Sequence, residues 1–161
     1  MPSVLIVCTG NICRSPTAHG VLAHLVREAG LDGSVRVDSA GTHDYHVGEP
    51  PDRRAQQHAR RRGYDLSGLR ARQVEHEDFG NFDLVLAMDR GQRRILERMA
   101  PNEHRHKVRL FMEYAVGLAL EEVPDPYYGG PEGFEQVLDM IEAASRGIIA
   151  AMVTSRRAAG R

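Results

Sequence analysis

Val4-Leu5-Ile6-Val7-Cys8-Thr9-Gly10-Asn11-Ile12-Cys13-Arg14-Ser15-Pro16 decides how this chain begins to fold and what it can hold. Four branched aliphatic residues in a row predict a strand buried on both faces, as in a parallel sheet. Gly10 and Asn11 are the residue types that best tolerate positive φ, so a tight turn is expected there. Ser15-Pro16 predicts a helix cap followed by proline at the first helical position. Ala18, Val21, Leu22, Leu25 and Val26 then keep the spacing of an amphipathic helix, and Gly30 supplies its stop. Strand, tight loop and helix N-terminus together make an anion site. The first-turn N–H groups lack partners within the helix, and the dipole favours negative charge.

Cys8 and Arg14 flank that loop. A sulfur at the floor of a cup of N–H groups is expected as thiolate, because Arg14, the amides and the Ser15 hydroxyl all favour the charged form. Arg14 suits a phosphate because its planar fork grips two oxygens at once and stays charged. Attack by sulfur on a phosphate ester also needs an acid for the departing oxygen. Val123-Pro124-Asp125-Pro126-Tyr127-Tyr128-Gly129-Gly130 supplies a candidate. Two prolines bias Asp125 towards extended backbone, and two tyrosines can wall an aromatic slot. Alone, Cys8 reads as a strand-end hydrophobe and Asp125 as a turn residue. Together they read as a nucleophile and its acid.

These segments resemble the low-molecular-weight protein tyrosine phosphatases. Asp38-Ser39-Ala40-Gly41-Thr42, His46-Val47-Gly48, Ala71-Arg72-Gln73 and Asp83-Leu84-Val85-Leu86-Ala87-Met88-Asp89 resemble the family too, so the likeness spans about residues 3 to 153. The resemblance implies hydrolysis of phosphotyrosine and aryl phosphates through a phosphocysteine intermediate. Cys8 would be the nucleophile, Arg14 would bind the phosphate, and Asp125 would act as general acid and then general base. It also implies a left-handed Asn11 bonded to Ser39, with Ser15 helping to hold the thiolate. Thr9, Gly10, Ile12 and Cys13 complete the phosphate loop. Tyr127 and Tyr128, with Tyr45, would line the entrance for an aromatic ring. Cys13 is implied as a redox partner that captures oxidised Cys8 as a reversible disulfide. Leu69 stands where the family frequently has a histidine, so no side-chain hydrogen bond to the loop is expected from it. No cofactor and no metal is required, because the loop amides and Arg14 supply the electrostatics.

Single residues separate this reading from others. Arsenate reduction through a cysteine relay needs downstream cysteines, and none follows Cys13. Phosphoarginine phosphatases resembling this chain carry threonine where Ile12 stands; Ile12 and the tyrosine pair favour an aromatic leaving group. A non-catalytic phosphate-binding or redox-sensing module would keep Arg14 without needing Asp125. The implied partners are phosphotyrosine-containing proteins or small aryl phosphates, with a tyrosine kinase upstream. Monomer and weak homodimer both stay open.

The whole chain sets further bounds. Its 161 residues suit one domain, and a net charge of -1 gives no general attraction to nucleic acid or a membrane surface. No charged segment leads into a long apolar run, and two cysteines point to a reducing, cytoplasmic setting. Strand and helix patterns alternate. Val35–Asp38, Leu84–Met88 and Val108–Phe111 read as strands. Helices are expected from Pro51 to Arg62 with Gly63 as stop, and from Asp89 to about Met99. The last helix places Phe134, Val137, Leu138, Ile141, Ile148 and Met152 mainly on one face. The fold class is therefore α/β, a single three-layer domain over 1–154 with a parallel sheet and helices on both faces. The resemblance adds four strands in the order 2-1-3-4. Ser155–Arg161 reads as a flexible tail. The Arg53–Arg72 stretch, with Arg60-Arg61-Arg62, reads as a solvated helix face, and His104 and His106 as surface loop.

Overall fold

A computed structural model of the chain describes residues 2–159. Strand β1 (Ser3–Cys8) is central, with β2 (Arg36–Gly41) on one side, β3 (Leu84–Ala87) on the other and β4 (Val108–Leu110) beyond β3. Every pairing is parallel, and the order is 2-1-3-4. All of β1 is buried because its alternating side chains meet helices on both faces. Val4, Ile6 and Cys8 pack towards α1 (Arg14–Glu28) and α5 (Pro131–Ala159), against Leu22, Leu138 and Ile141. Leu5 and Val7 pack the other way, against Phe79 of α3 (Asp78–Asn81) and Leu96 of α4 (Arg90–Met99). Each such aliphatic contributes about 1.5–3 kcal/mol, so this apolar run anchors both layers. Helix α2 (Arg53–Arg61) packs beside α1 and α5.

The element ends depart from the sequence reading for local reasons. Helix α1 starts at Arg14 with Cys13 as its cap residue, so Ser15 and Pro16 lie inside the first turn. Pro16 is tolerated there because that N–H would have no helical partner, while the Ser15 hydroxyl is occupied elsewhere. Helix α2 starts at Arg53, not Pro51, because the Asp52 side chain accepts from the N–H groups of Arg54 and Ala55. Helix α5 runs on through Ser155 to Ala159, where a tail was expected; Gly160 and Arg161 lie outside the described residues. Among the described residues, no helix is long and apolar enough to cross a membrane.

The arginine-rich stretch is only partly a solvated face. Arg60 and Arg61 are exposed. Arg62 instead meets Glu135, Asp139 and Glu142 of α5 at 2.9, 2.9 and 2.5 Å. The Tyr64 hydroxyl donates to Glu142 at 2.5 Å, and burial followed by that bond pushes its phenol up to about 12.

Ser39 behaves differently from the expectation. Its hydroxyl lies 2.9 Å from Nδ1 of His19, not on Asn11. The cause is register: Ser39 pairs with Ile6, two residues short of Cys8, and so lies below the loop and beneath the second turn of α1. Burial lowers the His19 pKa, against a smaller opposing pull from Asp38.

The folded state thus binds fewer protons at His19 than the unfolded chain. Its stability contribution is complete above about 6.5 and is lost as pH falls below that. In His19→Gln, the denaturation midpoint should drop less between pH 7 and pH 5 than in wild type. A second test concerns α5, where a Cβ added at Gly147 would lie 1.7 Å from the Tyr114 carbonyl oxygen. Gly147→Ala should destabilise the fold by about 3 kcal/mol, read as a lower urea midpoint.

Candidate active site

β1 delivers Cys8 to the carboxyl edge of the sheet, where β2 and β3 depart on opposite sides. Open α/β sheets place ligands at this switch point. The chain then folds back over its own sulfur. Asn11 has φ 58°, the one non-glycine residue at positive φ among the described residues. That turn aims the Asn11 N–H at Cys8 Sγ, 3.3 Å away. The buried Asn11 side chain holds the turn at both ends. Its Nδ2 donates to Ser15 Oγ at 2.7 Å, and its Oδ1 accepts from the Arg72 N–H at 3.1 Å. Ser15 Oγ lies 3.0 Å from the sulfur and 3.4 Å from the Ala40 carbonyl oxygen. Ser15 accepts from Asn11, and its single proton has two acceptors in reach, the Ala40 carbonyl and the nearer Cys8 sulfur. The expected support from Ser15 and the left-handed Asn11 are both present; Arg72 takes the place foreseen for Ser39.

Arg14 follows from the first turn of α1, 5% exposed. Its Nη1 donates to Asp89 Oδ2 at 2.7 Å and to the Val123 carbonyl at 3.1 Å. Its Nη2 lies 3.8 Å from Asp125 Oδ2. Cys8, Arg14 and Asp125, separated by up to 117 positions in the chain, therefore line one cavity of about 240 Å³. Thr9, Gly10, Ile12, Cys13, Tyr45, Tyr127 and Tyr128 complete its wall, with His46. Of the expected site residues, Asn11 and Ser15 support the loop from behind this wall, and Ser39 lies further below it. Tyr45 and Tyr128 stand well exposed at the rim, and the Tyr127 and Tyr128 rings meet edge to face with centroids 4.9 Å apart.

Several supporting residues were not assigned from sequence. Asp89, foreseen only as a helix cap, does cap α4, but its second oxygen also holds Arg14. Gln92 closes the capping box: its Oε1 accepts from the N–H groups of Met88 and Asp89, and its Nε2 donates to Thr9 Oγ1 at 3.1 Å. His46 lies over Gly10, where an added Cβ would come within 3.0 Å of its ring, and pairs with Glu49 at 2.7 Å. The sequence signal for Asp89 and Gln92 is the capping-box spacing, which does not tell what else the side chains touch. Leu69 is half-buried against the core. Both cysteines are free. Burial raises the Cys13 pKa well above the ordinary thiol range, and the nearby Asp52 adds to the effect.

A family model for low molecular weight phosphotyrosine protein phosphatases matches residues 3–158. The chain belongs to this family. A low molecular weight protein-tyrosine-phosphatase of Streptomyces coelicolor is 49% identical over 152 residues, covering 92% of each chain. The low molecular weight phosphotyrosine protein phosphatase of Homo sapiens is 42% identical over 137 residues, covering 84% of this chain and 85% of its own. A crystal structure of protein tyrosine phosphatase from Entamoeba histolytica, with Hepes in its active site, superposes with a TM-score of 0.93. It is 35% identical and covers 97% of this chain and 99% of its own. The protein is accordingly a phosphatase of the protein-tyrosine class, with this family's three-layer α/β fold.

In this phosphatase Asp89 is the one side-chain carboxylate within 3 Å of the buried Arg14 guanidinium among the described residues. Asp89→Asn keeps an acceptor for the α4 cap but removes the charge that holds Arg14. A drop in kcat/KM of roughly 10- to 100-fold is expected from the misplaced guanidinium, with the circular dichroism spectrum unchanged.

Proposed function

We propose that Cys8, Arg14 and Asp125 carry the phosphatase reaction on phosphotyrosine in proteins, with small aryl phosphates as alternative substrates. The observation that carries this reading is the meeting, in one cavity, of a sulfur and a guanidinium from one loop with a carboxyl from far along the chain. The phosphate of the substrate sits in the loop, with its oxygens on backbone N–H groups and on the Arg14 nitrogens. The Cys8 thiolate attacks phosphorus, so that the S–P bond forms as the bond to the tyrosine oxygen breaks. A tyrosine phenol has a pKa near ~10, which makes its anion a poor leaving group. Asp125 therefore hands its proton to the departing oxygen. The resulting carboxylate takes a proton from water, whose oxygen attacks the phosphocysteine. Inorganic phosphate leaves, and the thiolate and the protonated acid are restored.

Arg14 and the loop amides face the charge that develops on the phosphoryl oxygens, and they are already in place before substrate arrives. The exposed Tyr45, Tyr127 and Tyr128 at the rim supply flat surface for an aryl ring. The apolar side chain of Ile12 in the wall offers nothing to a guanidinium leaving group, which favours phosphotyrosine over phosphoarginine. Two free cysteines, one of them the nucleophile, fit a reducing, cytoplasmic setting.

Turnover of a phosphotyrosine peptide tests the assignment. Cys8→Ser should reduce turnover to background. Asp125→Asn should lower kcat/KM by about 10²- to 10⁴-fold, the range of general acid catalysis. A phosphoarginine peptide should be turned over far more slowly by the wild type. Unchanged turnover in both variants would discard the mechanism.

A further inference from the structure

We infer that Arg54 is a positioning residue for the general acid, tying the loop that carries Asp125 to helix α2. The inference rests on Asp125 as that acid. Residues 115–130 join the 3-10 turn Phe111–Tyr114 to α5 without a strand or helix of their own. A loop of that kind stays ordered only where tethers offset the backbone entropy of about 1–2 kcal/mol per residue. Two residues before Asp125, the Val123 N–H donates to the Met88 carbonyl at 2.8 Å and the Val123 carbonyl accepts from Arg14. Past Asp125, Arg54 makes the long-range hydrogen bond to the loop among the described residues.

The geometry of Arg54 is over-determined. Its Nη2 donates to the Tyr127 carbonyl at 2.8 Å, across 73 positions of sequence. Its guanidinium stands 5.4 Å from the Tyr127 ring centroid and 5.0 Å from that of Phe134, in the first turn of α5. Asp52 fixes the other edge of the fork, accepting from Nε at 3.3 Å and from Nη2 at 3.2 Å. The same aspartate caps α2, so the side chain is braced by the helix end from which it springs. Tyr127 then passes the constraint on. Its carbonyl takes Arg54, and its N–H donates to Asp125 Oδ1 at 3.0 Å. One residue thus links helix α2 to the orientation of the acid's carboxyl.

Arg54 lies outside the cavity that holds Cys8; it lines the neighbouring groove with Gln57 and Arg61. Its effect on catalysis must therefore pass through the loop. Lysine cannot reproduce it, since one ammonium cannot lie flat between two rings while reaching both Asp52 and a carbonyl.

The acid matters most when the leaving phenol is a poor one, which separates positioning from general stability. We would measure kcat/KM for phenyl phosphate and for p-nitrophenyl phosphate. The proteins are wild type, Arg54→Ala, Arg54→Lys, Asp125→Asn and the double variant Arg54→Ala/Asp125→Asn. Arg54→Ala should lose about 10-fold or more on phenyl phosphate, a fraction of the full acid contribution, and less than about threefold on the nitrophenyl ester. Arg54→Lys should recover only part of the loss. In the Asp125→Asn background, removing Arg54 should add nothing. Equal losses on both esters, or a full additional loss in the double variant, would overturn the tether while leaving Asp125 as the acid. An Asp125→Asn protein with undiminished phenyl phosphate hydrolysis would overturn the acid assignment, and this inference with it.

Discussion

The left-handed backbone at Asn11 is the constraint on which the site depends. A non-glycine residue there costs on the order of 1–2 kcal/mol, and it is tolerated because the side chain is bonded to Ser15 at one end and to the Arg72 N–H at the other. The turn brings a main-chain N–H onto the Cys8 sulfur. It also holds the hydroxyl of Ser15 3.0 Å from that sulfur. Gly41 belongs to the same device, because a Cβ there would lie 2.6 Å from the Thr9 carbonyl oxygen and force the loop outward. Close backbone approach at Gly41 and the two bonds of the Asn11 side chain together set the shape of the cup.

Arg14 shows how the layers of the fold converge on that cup. Its charge is almost wholly buried, which is costly without a partner. Asp89, at the start of α4, supplies the partner, and its other oxygen completes the α4 cap. Gln92 then links that cap to Thr9 in the loop. Helix α1, the start of α4 and the loop before α5 are thus tied together around the cup by hydrogen bonds of Arg14, Asp89, Gln92 and Val123. An electrostatic site assembled in this way needs little rearrangement when substrate charge develops.

Much of this architecture was legible in the sequence. The apolar run Val4–Val7, the helical spacing from Ala18 to Val26 and the alternation of later segments each obey a period that local chemistry imposes. The resemblance correctly supplied the strand order. Errors fell where two structures compete for one polar side chain. Ser15 was expected both to cap a helix and to face the sulfur; Cys13 takes the cap position, and Ser15 lies 3.0 Å from Cys8 Sγ. Ser39 was expected at Asn11 and instead meets His19, because strand register places it a step too low. Arg62 and Arg72 read as surface charge, yet Arg62 turns to Glu142 of α5 and Arg72 to Asp38 of β2 and the nearby Asp78.

The chain order alone determined that a thiol, a loop able to turn and a helix start would lie side by side, since those residues are neighbours and their geometry is local. It also determined a parallel α/β fold, through hydrophobic runs whose lengths and spacing admit few alternatives. Tertiary structure alone decided which carboxylate holds Arg14, which residue secures Asn11 and how the Asp125 loop is tied down. Those contacts join positions 61 to 111 residues apart. Their formation depends on strand register and helix packing, which no local pattern of residues encodes.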